Sequence, residues 1–175
     1  MTRILAGIPK YKEGIDERGT SNSERLLTFV LLLRYTGMRI GDVTRLRSDQ
    51  IDGQRLFLYT QKTGVAVNTI LPEPVVRVLN QTPKVKGTYF FWDGTQDIEI
   101  AAGSWKRRLV KVFDLAKVND AHPHWFRDTF AVELLLSGVP IERVSVLLGH
   151  QSVRITERYY APWVRSRQEQ LESRT

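Results

Sequence analysis

Arg39 stands at a break between two predicted helices, straight after the glycine of "YTGMRIGDVTRL". A guanidinium there can aim its planar fork at a phosphate, or it can pair with Asp42 three residues on. In "HPHWFRDTFA", His124 and Arg127 are three apart and share a helix face near its N-terminus. The free N–H groups and positive dipole of that end suit an anion, so the pair fits anion binding joined to proton transfer. His122 precedes Pro123, outside the helix, and reads as structural. In "LLGHQSV", His150 follows a helix-ending glycine, where a histidine can also simply meet the helix C-terminus. Lys62 lies in a predicted hairpin turn, an ordinary place for a solvated lysine. "ITERYYAPW" sets Tyr159 beside Tyr160. On a helix these two side chains point about 100° apart, so one can pack while the other reacts.

Bulk properties narrow the partners. The chain has 175 residues, 42% of them hydrophobic, which suits one domain with a real core. Lys and Arg outnumber Asp and Glu by 26 to 19, for a net charge of +7. That balance favours a polyanion partner, nucleic acid first. With no cysteine, disulfides, Cys-ligated zinc and thiol catalysis are excluded. The three histidines and the scattered acids show no metal-ligand spacing, so no metal or cofactor is expected. The longest apolar run, "FVLLL" from Phe29, is far too short to span a membrane, and no signal-peptide pattern opens the chain. A cytoplasmic location follows as the default.

The elements that must position these residues are mostly helical. Residues 1–20 are polar and glycine-interrupted, and read as a linker or extended N-terminal arm. "SNSERLLTFVLLLRYTG" carries a capping box, Ser21 with Glu24, ahead of an apolar helix that stops at Gly37. A short helix through "GDVTRLR" follows, with Val43 and Leu46 on one face. "QRLFLYT" and "GVAVNTILP" read as two strands joined by "QKTG", and "PEPVVRVLN" as a helix with proline in its first turn. "GTYFFWDG" is either a short strand or a packed loop. "AGSWKRRLVKVFDLAKV" predicts a helix with Trp105, Leu109, Val112 and Phe113 on its apolar stripe. Two more helices end at Gly138 and Gly149, and "VRSRQEQLESRT" reads as a polar, frayed helical tail. The expected fold class is mainly α with a small antiparallel β-sheet, α+β.

The order of the candidates, Arg39, Lys62 in its hairpin, His124-x-x-Arg127, Gly149-His150 and a tyrosine, resembles the tyrosine recombinase (phage integrase) family. "TGMR" is similar to the family's first arginine box, "HWFRDTFA" with "LLLSG" to its second, and "IERVSVLLGHQSVRITERYY" to its last. The resemblance covers residues 21–165, which would form the integrase-like catalytic domain, with 166–175 a C-terminal tail. Asp128 stands where many members carry histidine. The separate N-terminal helical domain of family members has no counterpart, so the chain is expected to be a fragment that binds DNA weakly and in a strongly salt-dependent way.

The resemblance implies cleavage and rejoining of DNA strands through a 3′-phosphotyrosine, without metal or nucleotide. Arg39 and Arg127 would hold the non-bridging oxygens as permanent cations. A phenol ordinarily keeps its proton to about pH 10, so His124 is the candidate to accept or steer it during attack. By resemblance Lys62 is the general acid for the 5′-oxygen and His150 a donor to a non-bridging oxygen. Asp42, where the family often has glutamate, would orient Arg39. Family nucleophiles lie nine or ten residues past that histidine, which admits both tyrosines. Tyr160, next to Ala161, is the expected nucleophile, with Tyr159 packing or touching DNA. The implied partners are double-stranded DNA and, on DNA, further copies in a tetramer; free, the domain would be a monomer. A non-catalytic DNA-binding module and a type IB topoisomerase are the alternatives.

Overall fold

The computed structural model describes residues 1–11 and 22–172. Helices α1 (Thr2–Gly7), α2 (Asn22–Thr36), α3 (Ile40–Thr44), α4 (Glu73–Gln81), α5 (Ile98–Leu115), α6 (Trp125–Leu136), α7 (Ile141–Leu147) and α8 (Val153–Glu172) accompany one small sheet. Its strands β1 (Ile51–Asp52), β2 (Arg55–Tyr59) and β3 (Ala66–Ile70) lie in that order and are antiparallel throughout. The expected α+β class is the observed one.

The main core forms where the apolar faces of α2, α4 and α5 meet the sheet. On β2, Leu56 and Leu58 point inward while Arg55, Phe57 and Tyr59 point out, the period of two that a half-buried strand demands. Leu58 sits opposite Val67 of β3, also buried. From α2, Leu26, Phe29, Val30, Leu32 and Leu33 are buried. Phe29 stacks on Trp105 of α5 at 4.4 Å between ring centres and meets Phe91 edge-on at 5.0 Å. These contacts settle "GTYFFWDG" as a packed loop: Phe90 and Phe91 are buried, and Tyr89 makes only isolated bridges to Arg47 and Val85. The apolar stripe of α5 is buried as its spacing predicts.

Three sequence expectations change. Residues 1–11 do not form an extended arm; α1 and the 3-10 turn Ile8–Lys10 bury Ile8 and Tyr11 in the main core. α5 begins at Ile98 rather than Ala102, because the Asp97 carboxylate accepts from the Glu99 and Ile100 N–H groups. The short helix α3 ends at Thr44, where "GDVTRLR" suggested a helix to Arg47. The tail from Val164 is helical, as its sequence predicts, and continues α8 as far as Glu172. The proposed cap Ser21 and residues 12–20 of the arm lie outside the described residues.

A second, smaller core lies between α6, α7 and α8. It consists of Ala131, Leu135, Val144, Leu148 and Tyr160, with Phe130 packed against it. Gly37 joins the two cores. Its φ of +63° is a left-handed conformation, and a Cβ there would lie 2.4 Å from Phe130 Cδ1. Only glycine fits both demands.

Candidate active site

All six residues singled out in the sequence, Arg39, Lys62, His124, Arg127, His150 and Tyr160, line one open cleft of about 960 Å³. They come from five pieces of local structure. Arg39 caps the N-terminus of α3, Lys62 sits at the tip of the β2–β3 hairpin, and His124 and Arg127 occupy the first turn of α6. His150 follows the left-handed Gly149 (φ +62°) after α7, and Tyr160 lies on α8. His122 is not in this cleft; its ring packs 5.2 Å from that of Trp125.

Arg127 is the anchor. Only 3% exposed, it donates through Nη1 to the Gly37 carbonyl at 2.6 Å and through Nη2 to the Leu148 carbonyl at 2.7 Å. Burial, and secondarily the charge of Arg39, pull its pKa down to about 10, which leaves it protonated at neutral pH. Arg39 is its complement: the buried Nη1 of Arg39 has no hydrogen-bond partner among the described residues. A buried donor of this kind is costly unless an acceptor arrives. The two guanidiniums therefore form an anion-binding floor, one built into the protein and one with a free donor.

His150 has a defined proton position. A guanidinium can only donate, so Arg127 Nη2, 2.9 Å away, makes His150 Nε2 the acceptor. The ring proton then sits on Nδ1 and is donated to Thr156 Oγ1 at 2.8 Å. Burial first, then Arg127 and Arg39, depress the pKa of His150 to about 4. In this state it is a neutral acceptor and has no Nε2 proton to give a phosphate. Desolvation also lowers the pKa of His124, with Asp128 opposing it and Arg127 adding to it.

Asp42 does not orient Arg39. Arg39 is in extended conformation ahead of the helix, so the facing expected of residues three apart on a helix does not arise. Buried at 2% exposure, Asp42 instead accepts the Gln61 N–H at 2.7 Å and lies 3.9 Å from Arg45 Nε. It thus holds the hairpin beside Lys62. The other side of the hairpin is tied too: Thr63 Oγ1 donates to the Gly149 carbonyl at 3.0 Å and Gln151 Nε2 to the Thr63 carbonyl at 3.3 Å. A Cβ on Gly149 would lie 2.7 Å from Thr60 Cγ2. Lys62 is therefore carried on a clamped turn rather than a loose one.

The tyrosines differ sharply. Tyr159 is 67% exposed at the rim, whereas Tyr160 is 4% exposed and its hydroxyl donates to Asp128 Oδ1 at 2.9 Å. Burial, followed by Asp128, raises the pKa of Tyr160 above the ordinary phenol value, against the pull of Arg127 and Arg39. Sequence reasoning noted Asp128 only as a departure from the family pattern, and Thr156 only as part of the last box, without a partner for either. It missed Thr63, which nothing local marks. Among the described residues, no group of three or more His, Cys, Asp or Glu side chains could hold a metal ion.

Two guanidiniums, a lysine, two imidazoles and a phenol thus line one cleft of an α+β domain, a set whose cations suit a phosphate. The sequence model of the Phage integrase family matches residues 10–164, and the chain belongs to that family. A tyrosine recombinase of Thermosipho africanus is 30% identical over 146 residues, 79% of this chain and 50% of that protein. The chain spans about half the length of the curated relatives it matches. Among solved structures, the XerA recombinase superimposes with a TM-score of 0.70 at 22% identity, covering 90% of this chain and 56% of that one. The XerH recombinase bound to palindromic difH substrate, in a post-cleavage complex, gives 0.73 at 16% identity over 98% of this chain and 50% of that one. At these identities the likeness is one of fold: that of tyrosine recombinase catalytic domains.

Proposed function

We propose that this domain cleaves and rejoins double-stranded DNA by attack of Tyr160 on a phosphodiester. The observation that carries the reading is the convergence of five residues, spread from 39 to 150, on the walls of one cleft shared with the buried Tyr160. Attack forms a bond between Tyr160 Oη and phosphorus and releases the 5′-oxygen, leaving a 3′-phosphotyrosine. Arg39 and Arg127 neutralise the charge that grows on the non-bridging oxygens, usually the largest catalytic contribution in such a site. Lys62 protonates the leaving oxygen, and His124 lies beside the phosphate and the attacking hydroxyl. The incoming negative charge offsets the two guanidiniums that depress the pKa of His150, which makes an imidazolium able to donate to the phosphate accessible. No metal or nucleotide is needed by this scheme.

The DNA seen with the XerH neighbour supports DNA as the partner, as does the basic charge. The domain would act in the cytoplasm, as a tetramer on two duplexes, and be monomeric when free. Among the described residues, no helix is long and apolar enough to cross a membrane.

A pool of nicked duplexes with randomised sequence tests the reading, because strand cleavage beside a nick traps the protein on DNA. We expect an adduct that survives denaturation, that is lost in Tyr160→Phe and that persists in Tyr159→Phe. Loss in Tyr159→Phe alone would move the nucleophile by one residue. No adduct from any member of the pool, with binding retained, would make the domain a DNA-binding module without strand transfer.

A further inference from the structure

Asp128 has no role in the scheme so far, yet it holds the reacting hydroxyl. The Tyr160 ring is packed among Ala131, Leu135, Val144 and Leu148, so its Oη is presented at one place only. There it donates to Asp128 Oδ1 at 2.9 Å. The same carboxylate oxygen lies 3.6 Å from His124 Nε2, and the Asp128 side chain is 40% exposed toward the cleft. Among the described residues, no other group hydrogen-bonds to the hydroxyl.

We propose that Asp128, rather than His124, is the catalytic base that takes the proton from Tyr160. The proposal rests on the strand-transfer reading above. As the Oη–P bond forms and the P–O5′ bond breaks, the Oη proton moves to Asp128 Oδ1 and Lys62 supplies a proton to O5′. Rejoining runs the same transfers backward. The hydrogen bond along which the proton moves already exists, so no reorganisation is needed at the moment of attack. A phenol oxygen becomes far more acidic as it bonds to phosphorus, so a carboxylate suffices as acceptor late in the step. An aspartate plays the same part toward a substrate hydroxyl in protein kinases. The charged and titratable groups facing the pair are Arg127 and Glu133 on α6 with His124 at its N-cap, Arg39 before α3, Lys62 on the hairpin, His150 before α8 and Tyr159 on it. The three cations among them favour loss of the phenol proton. His124 is left to steady the carboxylate and the phosphate.

The test uses the whole chain and the pool of nicked duplexes, with the initial rate of adduct formation followed against pH. D128N keeps the shape and an oxygen that accepts from Tyr160, but not the basicity. It is expected to lower the rate by about 10²–10⁴-fold. D128H restores a base whose ordinary pKa lies ~2–3 pH units above that of a carboxylate. The rate should recover at pH 8, and the acid limb of the profile should move up by about that amount. A D128N rate within about threefold of wild type, or a D128H profile with the wild-type acid limb, would overturn the proposal. The limb is read from D128H alone, so it decides even where D128N folds poorly. A wild-type chain that forms no adduct would sink the strand-transfer reading and this proposal together. Wild-type adduct with indifferent Asp128 variants would sink the proposal alone.

Discussion

With Nη1 on the carbonyl of Gly37 and Nη2 on that of Leu148, Arg127 ties the end of α2 to the end of α7. A lysine ammonium cannot span both oxygens, so Arg127→Lys should cost about 1–3 kcal/mol in urea unfolding for the buried carbonyl left unpaired. Arg39→Lys removes a guanidinium whose Nη1 binds nothing, and should leave stability nearly unchanged while weakening phosphate binding. The neutral His150 makes a separate forecast. Its pKa is about 4 in the folded state and near 6.5 when unfolded, so only the unfolded chain takes up that proton between these values. Stability is therefore full above about pH 6.5 and lost as pH falls toward 4, on the order of 1–2 kcal/mol once solvent screening of a half-buried ring is allowed for. His124 is shifted in the same direction. Thermal unfolding against pH should show the loss, and His150→Gln should reduce it. The six candidate residues could be picked out in the sequence because their order resembles the family's boxes, and they do line one cleft. The Asp128–Tyr160 bond could not, since it joins residues 32 apart through the packing of α6 on α8.

The hairpin between β2 and β3 is held from two sides, by Asp42 at Gln61 and by the Gly149 and Gln151 contacts at Thr63. Gly149→Ala forces a left-handed residue to carry a Cβ 2.7 Å from Thr60 Cγ2. It should destabilise the fold by about 1–3 kcal/mol. Thr63→Val removes one tie without steric conflict. Faster amide exchange at the hairpin tip and a lower adduct rate, with DNA binding retained, are the expected results. Equal exchange in both proteins would mean that the tie does not restrain Lys62. The strands were legible through their alternation. The tie was not, because a threonine in a turn has many local partners and only the fold selects a carbonyl 86 residues away. α1 was hidden for a different reason. Gly7 and Pro9 break the helical pattern, yet Gly7 is where α5 comes closest: a Cβ there would lie 3.0 Å from Ala116 Cβ.

At the scale of the molecule, the excess of 26 basic over 19 acidic side chains is the property that DNA would meet first. Affinity for any duplex should fall linearly in log–log coordinates as salt rises, with a slope of about −0.9 per phosphate contacted. Titrations at several ionic strengths measure it, and a flat line would rule out phosphate-dominated binding. The fold class was readable because long amphipathic helices and two alternating strands leave few architectures open. The division into two cores was not, since the residues of the smaller one are ordinary helix-face hydrophobics apart from Tyr160.

Thr156 and Tyr160 stand one turn apart on α8, the first on His150 and the second on Asp128. A motion that lifts α8 from the body would therefore draw away the Tyr160 hydroxyl and the acceptor of the His150 ring proton together. One helix fixes two walls of the cleft, so where α8 rests sets the geometry of both.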